Sequence, residues 1–202
     1  MSVYGNDFYF EIKDGAYQSA QVVAPLALYG REINSAIDVG CGQGWWGKAF
    51  HEAGVAEVVG VDGDYVENPV IDFVPHNLAI DTPDLSKRFD LAICLEVAEH
   101  LPEDRSQSFV NDLCAYSDVV LFSAAIPFQT GTHHINCQWL SYWAERFANN
   151  GYGIVDEIRW KIWNDDRVED GYRQNIVIFD KNVPVSVDVK DVVHPKIHYW
   201  GR

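Results

Sequence analysis

Apolar residues along this chain fall into two alternating patterns. Short, nearly unbroken apolar runs occur at residues 33–39, 57–62, 70–74, 89–95, 118–123, 152–158 and 175–180. Runs of this length that are apolar on both sides of the pleat predict strands buried on both faces. Between them the apolar positions recur at helical spacing. Ala20, Val23, Ala24, Ala27 and Leu28 predict a helix over 16–29, with Pro25 the one objection to an unbroken helix. A second helix is expected over 45–53, stopped by Gly54. Pro102 suits the first turn of a third, whose apolar face is Phe109, Val110, Leu113 and Cys114. A fourth, over 138–149, should bury Leu140, Trp143, Ala144 and Phe147. Strands alternating with helices predict a doubly wound α/β domain, a parallel sheet covered on both faces.

Two stretches lie outside this alternation. Residues 1–15 are mixed and aromatic, with Tyr4, Phe8, Tyr9 and Phe10, and with the first helix make an N-terminal cover over 1–30. In the tail 181–202, Val183, Val185, Val187 and Val189 alternate with polar groups before an aromatic end at His198, Tyr199 and Trp200. That tail could be an edge strand, a homodimer contact or an active-site cover. Residues 1–180 are expected to form one domain, because 202 residues with 48% hydrophobic content suffice for one substantial core.

Charge and cysteine content narrow the function. A formal charge of −15 argues against nucleic acid as partner, since phosphate binding draws on lysine and arginine. No segment offers the roughly 18 apolar residues of a membrane span. Cys41, Cys94, Cys114 and Cys137 form no Cys-x-x-Cys pair, so neither a zinc site of that kind nor a disulfide framework is suggested. A soluble protein in a reducing cytoplasm is the expectation.

The chemistry centres on Asp38-Val39-Gly40-Cys41-Gly42-Gln43-Gly44, where the first strand breaks into a glycine turn before a helix. In a doubly wound sheet the ligand sits at the carboxyl ends of the strands where strand order reverses. Gly42, Gly44 and Gly47 match the dinucleotide pattern Gly-x-Gly-x-x-Gly. Asp38 would repel a diphosphate there, however, and Trp45 and Trp46 fill the segment that should let backbone approach it. A cationic ligand without phosphate reverses the argument. S-adenosylmethionine is such a ligand: Asp62, at the end of the second strand, suits its ribose hydroxyls, and Asn77 can offer an amide to the adenine edge. Trp45 and Trp46 themselves are read as packing residues.

The sequence resembles the class I S-adenosylmethionine-dependent methyltransferases, in particular a small bacterial methyltransferase-domain subgroup. The likeness is carried by the turn at Asp38–Gly44, by Val61-Asp62-Gly63-Asp64, and by the stretch from Phe89 to Pro102 containing Leu95-Glu96-Val97-Ala98-Glu99-His100. It implies a seven-stranded Rossmann-like sheet in the order 3-2-1-4-5-7-6 with the last strand antiparallel. It also assigns cofactor contacts to Ser19, Asp38, Gly40, Gly42, Gly44, Asp62, Asn77, Leu78 and Glu96.

Methyl transfer is an in-line displacement in which the protein aligns a nucleophile and handles one proton. Glu96, Glu99 and His100 are spaced to share one side of a helical turn, and the Gly131–Asn136 loop should face the same cleft. Glu96, Glu99, His100 and His134 could therefore hold a divalent metal such as magnesium. Glu-x-x-Glu-His here resembles metal-dependent small-RNA 2′-O-methyltransferases and some ubiquinone-pathway O-methyltransferases. Without metal, His134, His133 or His100 would be the general base. Phe128, Trp139, Tyr142, Trp160 and Trp163 would suit a sugar or natural product stacked on rings. The expected activity is O-methylation of a polar small molecule; the alternatives are N-methylation and a non-catalytic cofactor-binding partner subunit.

Overall fold

A computed structural model describes the backbone of residues 6–198 and the side chains of 14–197. Helix α1 spans Asn6–Leu28, and the chain then alternates as β1 (Ser35–Val39), α2 (Trp45–Glu52), β2 (Glu57–Asp62), β3 (Asp72–Pro75) and β4 (Leu91–Leu95). There follow α3 (Ser106–Tyr116), β5 (Val119–Ser123), α4 (Leu140–Ala148), β6 (Gly153–Val155), α5 (Ile158–Ile162), α6 (Asp170–Asn175), β7 (Val177–Asp180) and α7 (Pro195–His198). The seven strands form one sheet in the order β3-β2-β1-β4-β5-β7-β6. The pairings among β1 to β5 are parallel, and β7 runs antiparallel to both β5 and β6.

Side chains that alternate along each strand explain why the strands read as unbroken apolar runs. Ile37, Ala92, Cys94, Val120 and Phe122 enter one core with Phe109 and Leu113 of α3 and Trp143 and Phe147 of α4. Their neighbours Ala36, Leu91, Ile93 and Leu121 enter the other, with Ala20 and Val23 of α1 and Phe50 of α2. The register has a consequence for the site. Asp38 shares the parity of Ala36, so its side chain faces α2 rather than α3.

The structure departs from expectation at both ends of the chain. The first helix begins at Asn6 rather than residue 16 and carries Pro25 in its last turns. There the missing N–H leaves the Gln21 carbonyl without its i+4 donor, and only one turn of helix follows. Tyr4 lies outside the described residues, as do the side chains of Phe8, Tyr9 and Phe10. In the tail, the alternating valines do not form a strand among the described residues: 183–194 are irregular. Pro184, which has no N–H for a ladder, brings its carbonyl oxygen to 2.2 Å from where a Cβ on Gly153 would lie, so the chain crosses β6 instead of pairing with it. Val185 and Val187 are exposed. Further on the segment is tied down as a strap. Arg159 donates to the Lys190 carbonyl (3.1 Å), the Ser141 N–H to Asp191 (3.0 Å) and Gln174 to the Val192 carbonyl (2.5 Å). Tyr199 and Trp200 lie outside the described residues. No helix among the described residues is long and apolar enough to cross a membrane, and all four cysteines are unpaired.

Candidate active site

A cavity of about 1040 Å³ opens at the carboxyl ends of β1, β2 and β4, where the strand order reverses. Its floor is the glycine turn. Gly40, Gly42 and Gly44 all have positive φ, at 79°, 53° and 89°. At Gly40 this is doubly required, since a Cβ would lie 2.3 Å from the Val97 side chain.

Two buried carboxylates brace that turn. Asp38 accepts the N–H of Gly47 in the first turn of α2 at 3.0 Å and also lines the cavity. Burial, the charge of Asp62 adding to it, pushes the Asp38 carboxyl up to about 7 against the opposing Gly47 bond. Asp62 accepts Gly42 N–H at 2.7 Å on one oxygen, and Gly63 N–H and the Tyr65 hydroxyl, both at 2.6 Å, on the other. Asn77 and Leu78 line the cavity after β3, with the Asn77 side-chain amide oxygen Oδ1 accepting Ala79 N–H at 3.1 Å.

The opposite wall comes from β4 and the loop after β5. Glu96 has φ 54°, a backbone state that non-glycine residues adopt at a cost of order 1 kcal/mol or more. Its N–H is held by the Ser123 carbonyl (3.0 Å) and hydroxyl (3.1 Å). The expected single helical turn is a 3-10 turn over Ala98–His100, with Glu96 outside it. The two glutamates remain neighbours but face differently. Glu96 lines the cavity, whereas Glu99 is fully buried behind it; no well-formed hydrogen bond reaches either Glu99 carboxylate oxygen, and the Ala125 backbone and the Glu96 carboxylate stand near enough to act on it. Burial and the neighbouring Glu96 charge raise the Glu99 carboxyl well above the usual range.

Around Glu99 stand two imidazoles. His134 Nδ1 donates to the Gln129 carbonyl at 3.1 Å, which leaves Nε2 as its lone-pair nitrogen, 4.0 Å from Glu99 Oε1. His100 Nδ1 donates to the His133 carbonyl at 3.2 Å, and the His100 and His134 rings meet edge-on at 5.0 Å. Burial, then the neighbouring His134, hold His100 neutral by lowering its pKa to about 4. One ligand atom from each of Glu99, His100 and His134 falls within 4.8 Å of the others.

A methyltransferase-domain family model matches residues 12–162, most of the chain. The chain belongs to that family. No curated protein matches this methyltransferase-family chain by sequence. Among solved structures it resembles DesVI of Streptomyces venezuelae, with TM-score 0.63 and 12% identity, covering 86% of this chain and 95% of that one. It also resembles an O-methyltransferase family protein from Burkholderia thailandensis, with TM-score 0.63 and 9% identity over 89% of this chain and 64% of the other. A third likeness is to SAM-bound CalS10, an amino pentose methyltransferase from Micromonospora echinaspora, with TM-score 0.51 and 20% identity over 63% and 58% of the two chains. These likenesses establish the class I fold.

Within that fold the sequence-based site divides. Asp38, Gly40, Gly42, Asp62, Asn77, Leu78, Glu96, His100 and His134 all line one cavity. Gly44 shapes the turn without lining it. Ser19 is fully buried instead: its hydroxyl donates to Gly15 O (2.7 Å) and accepts Glu169 N–H (3.0 Å), and Ala16, one turn earlier, reaches the cavity. His133 is exposed at φ 56°, does not line the cavity, and gives its carbonyl to His100 as a hydrogen-bond acceptor. Glu96 does not join the cluster of Glu99, His100 and His134, because its carboxylate is held by Gln129 (2.9 Å) and Asn175 (3.2 Å).

The aromatic lining is also redistributed. Phe128, Trp139, Tyr142, Trp160 and Trp163 do not line the cavity; Trp45, Trp46, Tyr65 and Tyr172 do. Trp46 remains a packing residue as well, edge-on to Tyr172 at 4.8 Å. Tyr65 stands three residues past Asp62, and that proximity to the strand-end acid was the available signal. Tyr172, from α6, has no such signal, because only the fold brings α6 over the turn.

Proposed function

We propose that this protein is an S-adenosylmethionine-dependent methyltransferase that methylates a hydroxyl of a polar small molecule, such as a sugar or natural product. The observation that carries the acceptor half is the fully buried, unpartnered Glu99 carboxylate with His134 Nε2 at 4.0 Å and His100 beside it, on the wall facing the glycine turn. The donor half rests on the brace of Asp38 and Asp62 around the turn, and on the likeness to structures such as CalS10, which is bound to the same cofactor.

The bound cofactor supplies an electrophilic methyl group on a cationic sulfur. The chain's own residues orient and deprotonate. Asp62 holds the ribose hydroxyls, Asn77 and Leu78 bound the adenine, and Asp38 provides negative charge near the cationic end. His134, its Nδ1 fixed by a main-chain carbonyl, offers Nε2 to the hydroxyl proton, with the Glu99 carboxyl 4.0 Å away; a positive charge forming on the ring favours the ionised form of that carboxyl.

A divalent metal is a second reading, favoured by one specific arrangement. His100 and His134 each give the Nδ1 proton to a backbone carbonyl, the usual backing of metal-bound imidazoles, and the orphan Glu99 carboxylate completes three ligands. Such a metal would lower the pKa of an acceptor hydroxyl. Mass analysis of products from free sugars, hydroxylated natural products and amines, with and without rigorous chelation, tests both readings. Methylation confined to amines removes the O-methyl assignment; a rate unchanged by chelation removes the metal and leaves His134 as base.

Cofactor binding should depend on pH. A cation favours the ionised form of Asp38, whose pKa stands at about 7 without ligand. Binding then releases protons near neutrality, and affinity weakens as pH falls through that value. Calorimetry in buffers of different ionisation enthalpy checks this, and a flat affinity between about pH 6 and 8 counts against it.

A further inference from the structure

Glu96 is held in an unusual way. Gln129 Nε2 donates to one carboxylate oxygen at 2.9 Å and Asn175 Nδ2 to the other at 3.2 Å. The two amides are themselves linked, since Asn175 Nδ2 also donates to Gln129 Oε1 at 3.0 Å, an oxygen that accepts Ile126 N–H at 3.3 Å as well. Helix α6 closes over the pair at Gly171. A Cβ there would lie 3.2 Å from Glu96 Oε2 and 3.3 Å from Gln129 Nε2, so any side chain would press on the contact.

Both clamping groups are neutral. An arginine or lysine in their place would fix the carboxylate equally well but cancel its charge. Amides fix it and leave the charge, and a carboxylate accepting one bond on each oxygen keeps lone pairs for further donors. Glu96 lines the cavity at the end of β4, and β4 pairs directly with β1, whose end carries Asp38 and the glycine turn. A carboxylate oriented there by neutral partners suits a ligand's ammonium group.

We propose that Gln129, with Asn175, is a positioning residue that aims Glu96 at the ammonium of the cofactor's methionine end. This rests on the cofactor assignment made above. Gln129 also links the two halves of the site. Its side chain holds the donor-side Glu96, and its main-chain carbonyl takes the Nδ1 proton of the acceptor-side His134. A side-chain substitution therefore separates the roles, because the carbonyl stays in place.

The test uses two probes that differ only in the amino-acid end: S-adenosylhomocysteine, which has the ammonium, and methylthioadenosine, which lacks it. In Gln129→Met and in Asn175→Ala, calorimetric affinity for S-adenosylhomocysteine should fall about tenfold, the order expected for misplacing one charged hydrogen bond, while that for methylthioadenosine stays within about twofold. Gly171→Ala should act in the same direction. With an acceptor in hand, turnover of Gln129→Met at saturating cofactor should stay within about threefold of wild type, the KM for cofactor carrying the loss. Equal weakening of both probes would reduce Gln129 to a structural residue and overturn the proposal, as would no change in either. A collapse of turnover with unchanged affinity would move Gln129 to the acceptor side and also overturn it. If the wild-type protein bound neither probe, it is the cofactor assignment itself that would fall.

Discussion

Glu99→Met is expected to raise the melting temperature while lowering turnover by about 10²-fold or more, the range for losing a group that assists proton transfer. Glu99 is fully buried with both carboxylate oxygens unpartnered, an arrangement that costs on the order of 1–3 kcal/mol or more in polar groups generally. Methionine has similar volume and no polar atom to satisfy. At roughly 2–4 °C per kcal/mol for a chain of this size, the gain should be several degrees. The sign of its pH dependence follows from the raised pKa of Glu99. A carboxyl whose folded pKa lies above its unfolded one is least costly when protonated, so the variant's advantage should be smallest in acid and grow as pH rises above the ordinary glutamate range. Thermal melts across pH check this. A lowered melting temperature in metal-free buffer would show that Glu99 already stabilises the fold, and undiminished turnover would remove it from the reaction.

Asp62→Ala is expected to weaken S-adenosylmethionine binding by about 10²-fold. Two hydrogen bonds from ribose hydroxyls to an ionised carboxylate contribute roughly 1.5–3 kcal/mol each, and every 1.4 kcal/mol is tenfold. The loss would include pre-organisation of the turn, because the same carboxylate holds Gly42 N–H and Gly63 N–H. Tyr65→Phe separates these contributions. The Tyr65 hydroxyl, 2.6 Å from Asp62 Oδ1, competes with a ribose hydroxyl for that oxygen, so its removal should leave affinity equal or tighter while the turn stays braced. Titration calorimetry reads both variants, and wild-type affinity in Asp62→Ala would end the ribose assignment.

The parts of the site that lie next to a strand end in sequence could be read directly. Asp38, the three glycines and Asp62 follow buried apolar runs, and a parallel sheet must bring those strand ends together. The paired glutamates could be found by spacing but not distinguished. Which of Glu96 and Glu99 faces the cavity depends on the positive φ at Glu96 and the 3-10 turn after it, neither of which leaves a mark in residue spacing. Ser19 lies one turn of α1 beyond Ala16, the residue that reaches the cavity; the helical period shows that a face is buried but not against what.

The alternating apolar runs and the glycine turn by themselves determined the doubly wound class and the place where the cavity opens, because strand period and turn geometry are local consequences of residue type. The seven-strand order came from resemblance and was then seen in the sheet. The tertiary structure alone decided what stands around the turn. Tyr172 reaches the cavity from α6, and Asn175 of α6 and Gln129 of the loop after β5 hold Glu96, through contacts between residues far apart in the chain. Tertiary structure also turned the tail from a potential strand into a strap, through Pro184 and anchors on α4, α5 and α6. Pairing of that kind depends on which edge is open and what already covers it, and no periodicity within the tail encodes either.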